Sequence, residues 1–156
     1  MSKTSRPHLI RAAEIKALPE QQHLHQFNRR AVRMTRGLGT AAGLERIGIH
    51  LIRLPPGHDS TQFHSHSADE EFIYILEGRA IAEIGDLECE VGPGDFIGLP
   101  VPSPAHNLRN SFAEDCHYLV GGERNPLDVV DYPRIRRSML KRPRRWVNWD
   151  DLNEID

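Results

Sequence analysis

Between residues 46 and 122 the chain is divided into short β-type runs by glycine, proline and aspartate, with no helical period among them. RIGIHLIRL (46–54) alternates and is broken by PPG (55–57); TQFHSH (61–66) follows, then EFIYILE (71–77) and Gly78. AIAEI (80–84) and LECEV (87–91) are separated by Gly85-Asp86, a two-residue hairpin signal, and GPGD (92–95) marks another turn. FIGL (96–99), AHNLRN (105–110) and CHYLV (116–120) complete the series. Many short strands with regular turns predict an all-β sandwich or small barrel. The lack of helices between them argues against a parallel sheet of βαβ units.

The flanks read differently. Residues 1–45 form a polar, weakly patterned N-terminal arm. Within it IRAAEIKAL (10–18) predicts a short helix stopped by Pro19, and GLGTAAGLE (37–45) reads as a loop because its glycines disfavour a helix. Residues 123–156 read as a C-terminal arm or tail, with RIRRSMLKRPRR (134–145) basic and WDDLNEID (149–156) acidic. A solvated tail with partly compensating charges is a simpler reading than a patch for an acidic partner.

A length of 156 residues suggests one domain. The net charge of −2 gives no overall pull toward nucleic acid or membrane. No apolar run approaches the roughly 18 residues that span a bilayer. The first twenty residues lack the apolar centre of a secretory signal, and two cysteines, Cys89 and Cys116, are too few for a disulfide framework. Reduced core cysteines and a cytoplasmic location are the default expectation.

The chemistry concentrates in HSHSADEEFIYILEG (64–78). On a strand, residues i and i+2 share a side about 6.6 Å apart, so His64 and His66 can converge on one ion. Imidazole nitrogen suits borderline transition metals. Parity along an unbroken strand puts Glu70 with the histidines, but Ser67-Ala68-Asp69 has turn chemistry, and a reversal there resets the parity. If Glu71 points inward, so do Ile73 and Ile75, with Phe72, Tyr74 and Leu76 packed on a second, covered face. Parity alone leaves Glu70 and Glu71 open. His106, about 40 residues on, is the remaining polar candidate; a barrel interior would bring it in from a distant strand.

These residues resemble the cupin superfamily. Its first motif, G-x5-H-x-H-x3or4-E-x6-G, is met by Gly57, His64, His66, Glu71 and Gly78, with one extra residue before His64. The spacing to Gly78 in that motif favours Glu71 over Glu70. The second motif, G-x5-P-x-G-x2-H-x3-N, is met by Gly94, Pro100, His106 and Asn110; Pro102 replaces its glycine and His106 comes one residue late. The resemblance implies a double-stranded β-helix, or jelly-roll barrel, over about 46–122 with short arms at both ends. It implies His64, His66, Glu71 and His106 as ligands of one divalent transition metal per chain: iron, manganese, nickel or zinc. It also implies a homodimer in which the terminal segments pack on the partner's barrel; a stretch like LVGGERNPLDVVDYP (119–133) follows the barrel in small bacterial cupins of this kind.

Gln62 shares the inward parity of His64 and His66 and is the first candidate for a substrate contact. His50 alternates with Ile52 and Leu54; a pocket-lining role and a hydrogen-bonded interior role are both open for it. His23 and His25 repeat the H-x-H spacing without a carboxylate nearby and read as a surface pair. His58 and His117 receive no role, Asn110 reads as a turn stabiliser, and Arg79 as a solvated hairpin residue. Three histidines and a carboxylate leave an octahedral ion two open positions for water or substrate oxygens. The expectation is a metal-dependent enzyme acting on a small hydroxy, keto or sugar-like molecule, of isomerase, lyase or dioxygenase type. The alternative is a non-catalytic small-molecule binder or sensor.

Overall fold

The computed structural model describes residues 8–153; the first seven residues of the N-terminal arm and the last three of the acidic end lie outside it. Helix α1 (Ala12–Ala17) leads into strands β1 (Gln21–His25) and β2 (Asn28–Gly37), and helix α2 (Leu38–Ala42) joins β2 to β3 (Ile47–Leu54). Next come β4 (Ser65–His66), β5 (Glu71–Glu77), β6 (Ala80–Ile84), β7 (Leu87–Val91), β8 (Phe96–Leu99), β9 (His106–Arg109) and β10 (Cys116–Glu123). Strands β11 (Val129–Tyr132), β12 (Arg137–Leu140) and β13 (Arg145–Asn148) follow.

Every paired strand is antiparallel to its neighbour. One layer runs β1-β2-β3-β10-β5-β8. Facing it are β13-β12-β11-β4 and β7-β6-β9. A backbone bridge joins these two smaller sheets: His106 N–H donates to His64 O at 2.8 Å and His64 N–H donates back to His106 O at 3.2 Å. The result is the jelly-roll barrel that the spacing of short strands implied. The hairpin of β6 and β7 forms as predicted, with Gly85 at φ +58.

The inward faces of the strands change character along the barrel. At one end Leu54, Ile75, Leu108 and Cys116 are almost completely buried and pack together with Ile52, Ala80, Ala82 and Tyr118. Each fully buried aliphatic side chain of this kind contributes about 1.5–3 kcal/mol. At the other end the same strands present His50, Glu71, His106 and Gly122 to a cavity. The registers align this change, since Ile52 and Ile75 both lie opposite Tyr118, and Gly48 and Glu71 both lie opposite Gly122. One end is thus a packed plug and the other an open polar bowl. Cys89 and Cys116 are free thiols, and burial pushes the Cys116 thiol up to about 11.

Several expectations are corrected. Residues 21–37 are not an arm outside the barrel: β1 and β2 extend the larger sheet from the edge of β3. Their polar character reflects a strand pair with solvent on one side and the cavity on the other, so hydrophobic alternation never develops. Residues 38–42 are helical, ended by Gly43 at φ +84. Gly39 lets that helix approach β3, since a Cβ there would stand 3.0 Å from Ile49 N. The C-terminal segment is not a solvated tail, because β11–β13 extend the second layer. Two of its basic residues pair with acids, Arg134 with Glu83 (3.0 Å) and Arg136 with Asp150 (2.8 Å), while Val130 and Tyr132 are buried. The outer face of β5 is not covered: Tyr74 and Leu76 are 40% and 42% exposed. Helix α1 lies within the predicted 10–18 and ends ahead of Pro19.

Candidate metal centre

The bridge between His64 and His106 sets the two residues directly opposite each other on paired backbones, and their rings lie 4.6 Å apart. His66, two residues along, falls on the same side with its ring 5.0 Å from that of His64. Residues 67–70 then turn a corner into the facing layer instead of making a hairpin, so Glu71 enters β5 from the opposite side of the barrel. The Glu70/Glu71 ambiguity is thereby resolved: Glu71 faces the cavity, while Glu70 is exposed. Glu71 Oε2 lies 3.2 Å from His66 Nε2, 3.2 Å from His106 Nε2 and 3.9 Å from His64 Nε2. All four candidate ligands meet at one point, three imidazoles from one layer and the carboxylate from the other.

Hydrogen bonding fixes the ring tautomers. His64 Nδ1–H donates to Gln62 O (2.9 Å), His106 Nδ1–H to Pro104 O (3.1 Å), and His66 Nδ1–H to the Asp128 carboxylate (2.7 Å). These oxygens can only accept, so the protons sit on Nδ1 and a neutral ring directs its Nε2 lone pair inward. Three inward lone pairs and an anionic oxygen repel one another unless a cation, either protons or a metal ion, stands between them. His66 Nε2 is buried without a well-directed hydrogen-bond partner, as such a donor atom should be. The donor set and its anchored Nδ1 atoms therefore fit a borderline divalent metal.

The electrostatics express the same need. At His66 burial opposes the charged form, but Glu71 and Asp128 outweigh it and hold the proton up to about 9. Burial disfavours the Glu71 anion, yet the three surrounding imidazoles more than offset this and hold it far below the usual carboxylate range. His64 is moved down, mainly by burial, with His106 and His66 adding to it.

Asp128 and Lys141 complete the surroundings, and the sequence reading missed both. Asp128 is 1% exposed and ties the corner together: Oδ1 accepts from Ala68 N (2.9 Å) and Asp69 N (3.2 Å) while Oδ2 holds His66. Lys141 Nζ bridges Asp128 Oδ2 (3.0 Å) and Asp69, so the cation these two buried acids need is already supplied. The sequence signal was present in LVGGERNPLDVVDYP, where Asp128 follows the barrel, but nothing local marked this aspartate as reaching a histidine 62 residues away. Gly122 keeps Glu71 in place, since a Cβ there would stand 2.9 Å from Glu71 Cγ.

Beyond the four residues lies a cavity of about 480 Å³. His50 lines it, with its proton affinity lowered chiefly by burial and further by Arg124 and Arg33. Gln62 does not line it. Residues 61–63 form an irregular bend, so strand parity does not apply there, and Gln62 is buried with its carbonyl serving His64. His25 is no surface residue: it is 8% exposed, packs 5.2 Å from the Tyr132 ring, and is pushed down to about 4, mainly by burial. His23 lies at the rim of the same cavity. Asn110 stabilises a turn, as read, donating to Leu54 O and Glu114 O. His58 and His117 lie outside the cavity lining.

Fold and site together define a cupin, and the comparisons agree. Residues 50–122 match the Cupin domain family. The chain is similar over 95% of its length, at 35% identity, to the protein described as "Putative sugar phosphate isomerase" from Acidithiobacillus ferrooxidans; it covers 96% of that chain with a TM-score of 0.90. It is similar at 25% identity to the sugar phosphate isomerase from a cupin superfamily of Silicibacter pomeroyi, over 88% of this chain and 90% of that one, with a TM-score of 0.76. A curated relative, the uncharacterized protein MJ1618 of Methanocaldococcus jannaschii, is 38% identical over 55 residues, which span 35% of this chain and 43% of that one. This chain belongs to the cupin superfamily. Among the described residues no helix is long and apolar enough to cross a membrane.

Proposed function

We propose that His64, His66, Glu71 and His106 hold one divalent transition metal, and that the chain is a metal-dependent enzyme of isomerase type acting on a small, oxygen-rich, sugar-like molecule. The observation that carries this is the convergence of three Nδ1-anchored imidazoles on the Glu71 carboxylate. When bound, the metal supplies Lewis-acid polarisation of substrate oxygens. The protein supplies the rest. The cavity is of a size that suits a small ligand and excludes bulk water from much of its surface. His50 lines it, favoured in its neutral form by burial and by Arg124 and Arg33, and can accept a proton from the substrate. The two solved relatives described as sugar phosphate isomerases support the substrate class. The test is a panel of aldoses, ketoses, their phosphates and hydroxy or keto acids, followed by NMR with iron, manganese, nickel and zinc. Metal-dependent interconversion is expected; binding without turnover under every metal would instead make the chain a sensor.

Asp128→Asn keeps a side chain of the same shape but removes the charge that orients His66. It lowers metal affinity by about 10–100-fold, read by competition with a chromophoric chelator; wild-type affinity would remove Asp128 from the site. The pH dependence has two opposite signs. In the ion-free protein the His66 proton is held up to about 9. Its stabilising contribution is therefore complete below the ordinary histidine value of about 6.5 and is lost as pH rises through about 9. Metal must displace that proton, so uptake at pH 7.5 expels about one proton per chain. Calorimetry in buffers of different ionisation heat measures it, and uptake with no proton release contradicts the assignment.

We also infer a homodimer formed through the outer face of β5 and β8. Phe96 is 65% exposed there, paired with Tyr74 and stacked 5.9 Å from Phe72. Sedimentation equilibrium checks this: a dimer is expected, with Phe96→Glu dissociating it.

A further inference from the structure

Arg33 stands apart from the arginines that are paired with a carboxylate. Arg53 and Arg36 pair with Glu20, Arg134 and Arg109 with Glu83, Arg79 with Glu90 and Arg136 with Asp150. Arg33 has no carboxylate partner among the described residues. It lies on β2 opposite His23 of β1, on the side facing the cavity, where one terminal nitrogen donates to Ser60 O while Nε is buried without any hydrogen-bond partner. A guanidinium removed from water with an unused N–H carries a desolvation penalty that only an anion offsets well. Burial lowers the proton affinity of His23, His25 and His50, and the charge of Arg33 lowers it further.

A second unmatched guanidinium faces the same space. Arg144 lies in the turn between β12 and β13 and lines the cavity, with no acidic partner among the described residues. It comes from the opposite layer, so the two arginines approach the cavity from different sheets. Lys141 is already committed to Asp69 and Asp128, and Arg124 to Thr40 and Leu44 O. The acids in the lining are Glu71, engaged with the histidines, and Glu123, whose carboxylate accepts from Glu70 N. Arg33 and Arg144, like Arg124, thus face the bowl without a carboxylate partner among the described residues, and of the three only Arg124 has its guanidinium tied to two neutral acceptors.

We infer that Arg33 and Arg144 form an oxyanion subsite that takes the phosphate end of the substrate, with the oxygen-rich end directed to His64, His66, Glu71 and His106. Two guanidiniums match the charge and the several acceptor oxygens of a phosphate monoester better than a single carboxylate, and the planar Arg fork suits bidentate phosphate contacts. This deepens the isomerase reading and rests on it for the rest of the molecule; the anion itself rests only on the two arginines.

The experiment uses the full chain freed of metal and titrated with inorganic phosphate, followed by calorimetry and by ³¹P line broadening, with acetate as the competing anion. Phosphate is expected to bind and acetate to bind much more weakly. Arg33→Met and Arg144→Met each lower phosphate affinity by about 10-fold or more, while Arg136→Met, whose partner Asp150 lies away from the cavity, leaves it unchanged. Arg144 is exposed, so its variant reads the subsite even if Arg33→Met does not fold. Wild-type affinity in Arg144→Met, no phosphate binding at all, or acetate binding as tightly as phosphate overturns the proposal. His66→Ala separates it from the metal reading: phosphate binding that survives in this variant, beside wild-type protein that takes up no metal, leaves the subsite standing and removes the metal centre.

Discussion

His66→Ala lowers the affinity for a divalent transition metal by at least about 100-fold, whereas His23→Ala leaves it nearly unchanged. The pairs His23/His25 and His64/His66 have identical spacing in the sequence, so the contrast isolates what the fold adds. His66 presents Nε2 at 3.2 Å from the Glu71 carboxylate and is oriented from behind by Asp128 at 2.7 Å. Removing it deletes one donor of four and leaves Asp128 without the ring it positions, which exceeds the loss of an orienting contact alone. His64→Ala belongs to the same class, because its backbone bridge to His106 holds the two rings together. His23 and His25 face the same cavity from β1 but do not converge on Glu71. His25 packs against Tyr132 and Trp146 instead, at 5.2 and 5.9 Å. The measurement is chelator competition on each variant, with folding checked by circular dichroism. Equal losses at His23, His25, His64 and His66 would show that the ion, if bound, sits elsewhere in the bowl.

The part of this site that could be read from the sequence is the part carried by short-range geometry. His-x-His on a strand followed by turn residues is a local fact, and it led to His64 and His66; Glu71 was favoured over Glu70 only by the spacing in the motif that the chain resembles. His106 stood out as the remaining polar candidate, but nothing within residues 105–110 says which distant strand lies beside it; the bridge to His64 supplies that. Asp128, Lys141 and Arg33 were invisible for the same reason in stronger form. Each lies in a segment whose residues look like solvated surface, and each acquires its role from a partner 27 to 72 residues away. The strands β1, β2 and β11–β13 escaped notice because backbone pairing to an existing sheet edge needs no hydrophobic alternation, and one of their faces is a polar cavity. Gln62 was the reverse error. The period of two was extended into a bend where backbone dihedrals no longer alternate.

The glycines of the first motif show the same boundary between pattern and structure, and they yield a large stability difference. Gly57 and Gly78 hold equivalent status as motif glycines, and both have left-handed backbones, φ +78 and φ +72. An L-residue in that region costs about 1–2 kcal/mol whatever its surroundings. At Gly57 a Cβ would meet nothing within 4 Å, so Gly57→Ala should lose only that amount. At Gly78 the same Cβ would overlap the Asp115 carbonyl oxygen and stand 3.0 Å from Cys116 Cα, both backbone atoms at the start of β10. These cannot swing aside as a flexible side chain would. Cys116 is completely buried in the packed end of the barrel, so movement there propagates into the core. Forcing atoms into a packed interior adds about 1–3 kcal/mol, which brings Gly78→Ala to about 2–5 kcal/mol. Against a typical domain stability of about 5–15 kcal/mol, that is a substantial fraction. Urea denaturation of the two variants, with the slope unchanged from wild type, reads the difference directly. Gly78 lies at the plugged end, away from Glu71, so the surviving folded fraction should keep wild-type metal affinity. Equal losses at the two glycines would mean that β10 can retreat from the turn, and that the left-handed backbone alone accounts for both residues.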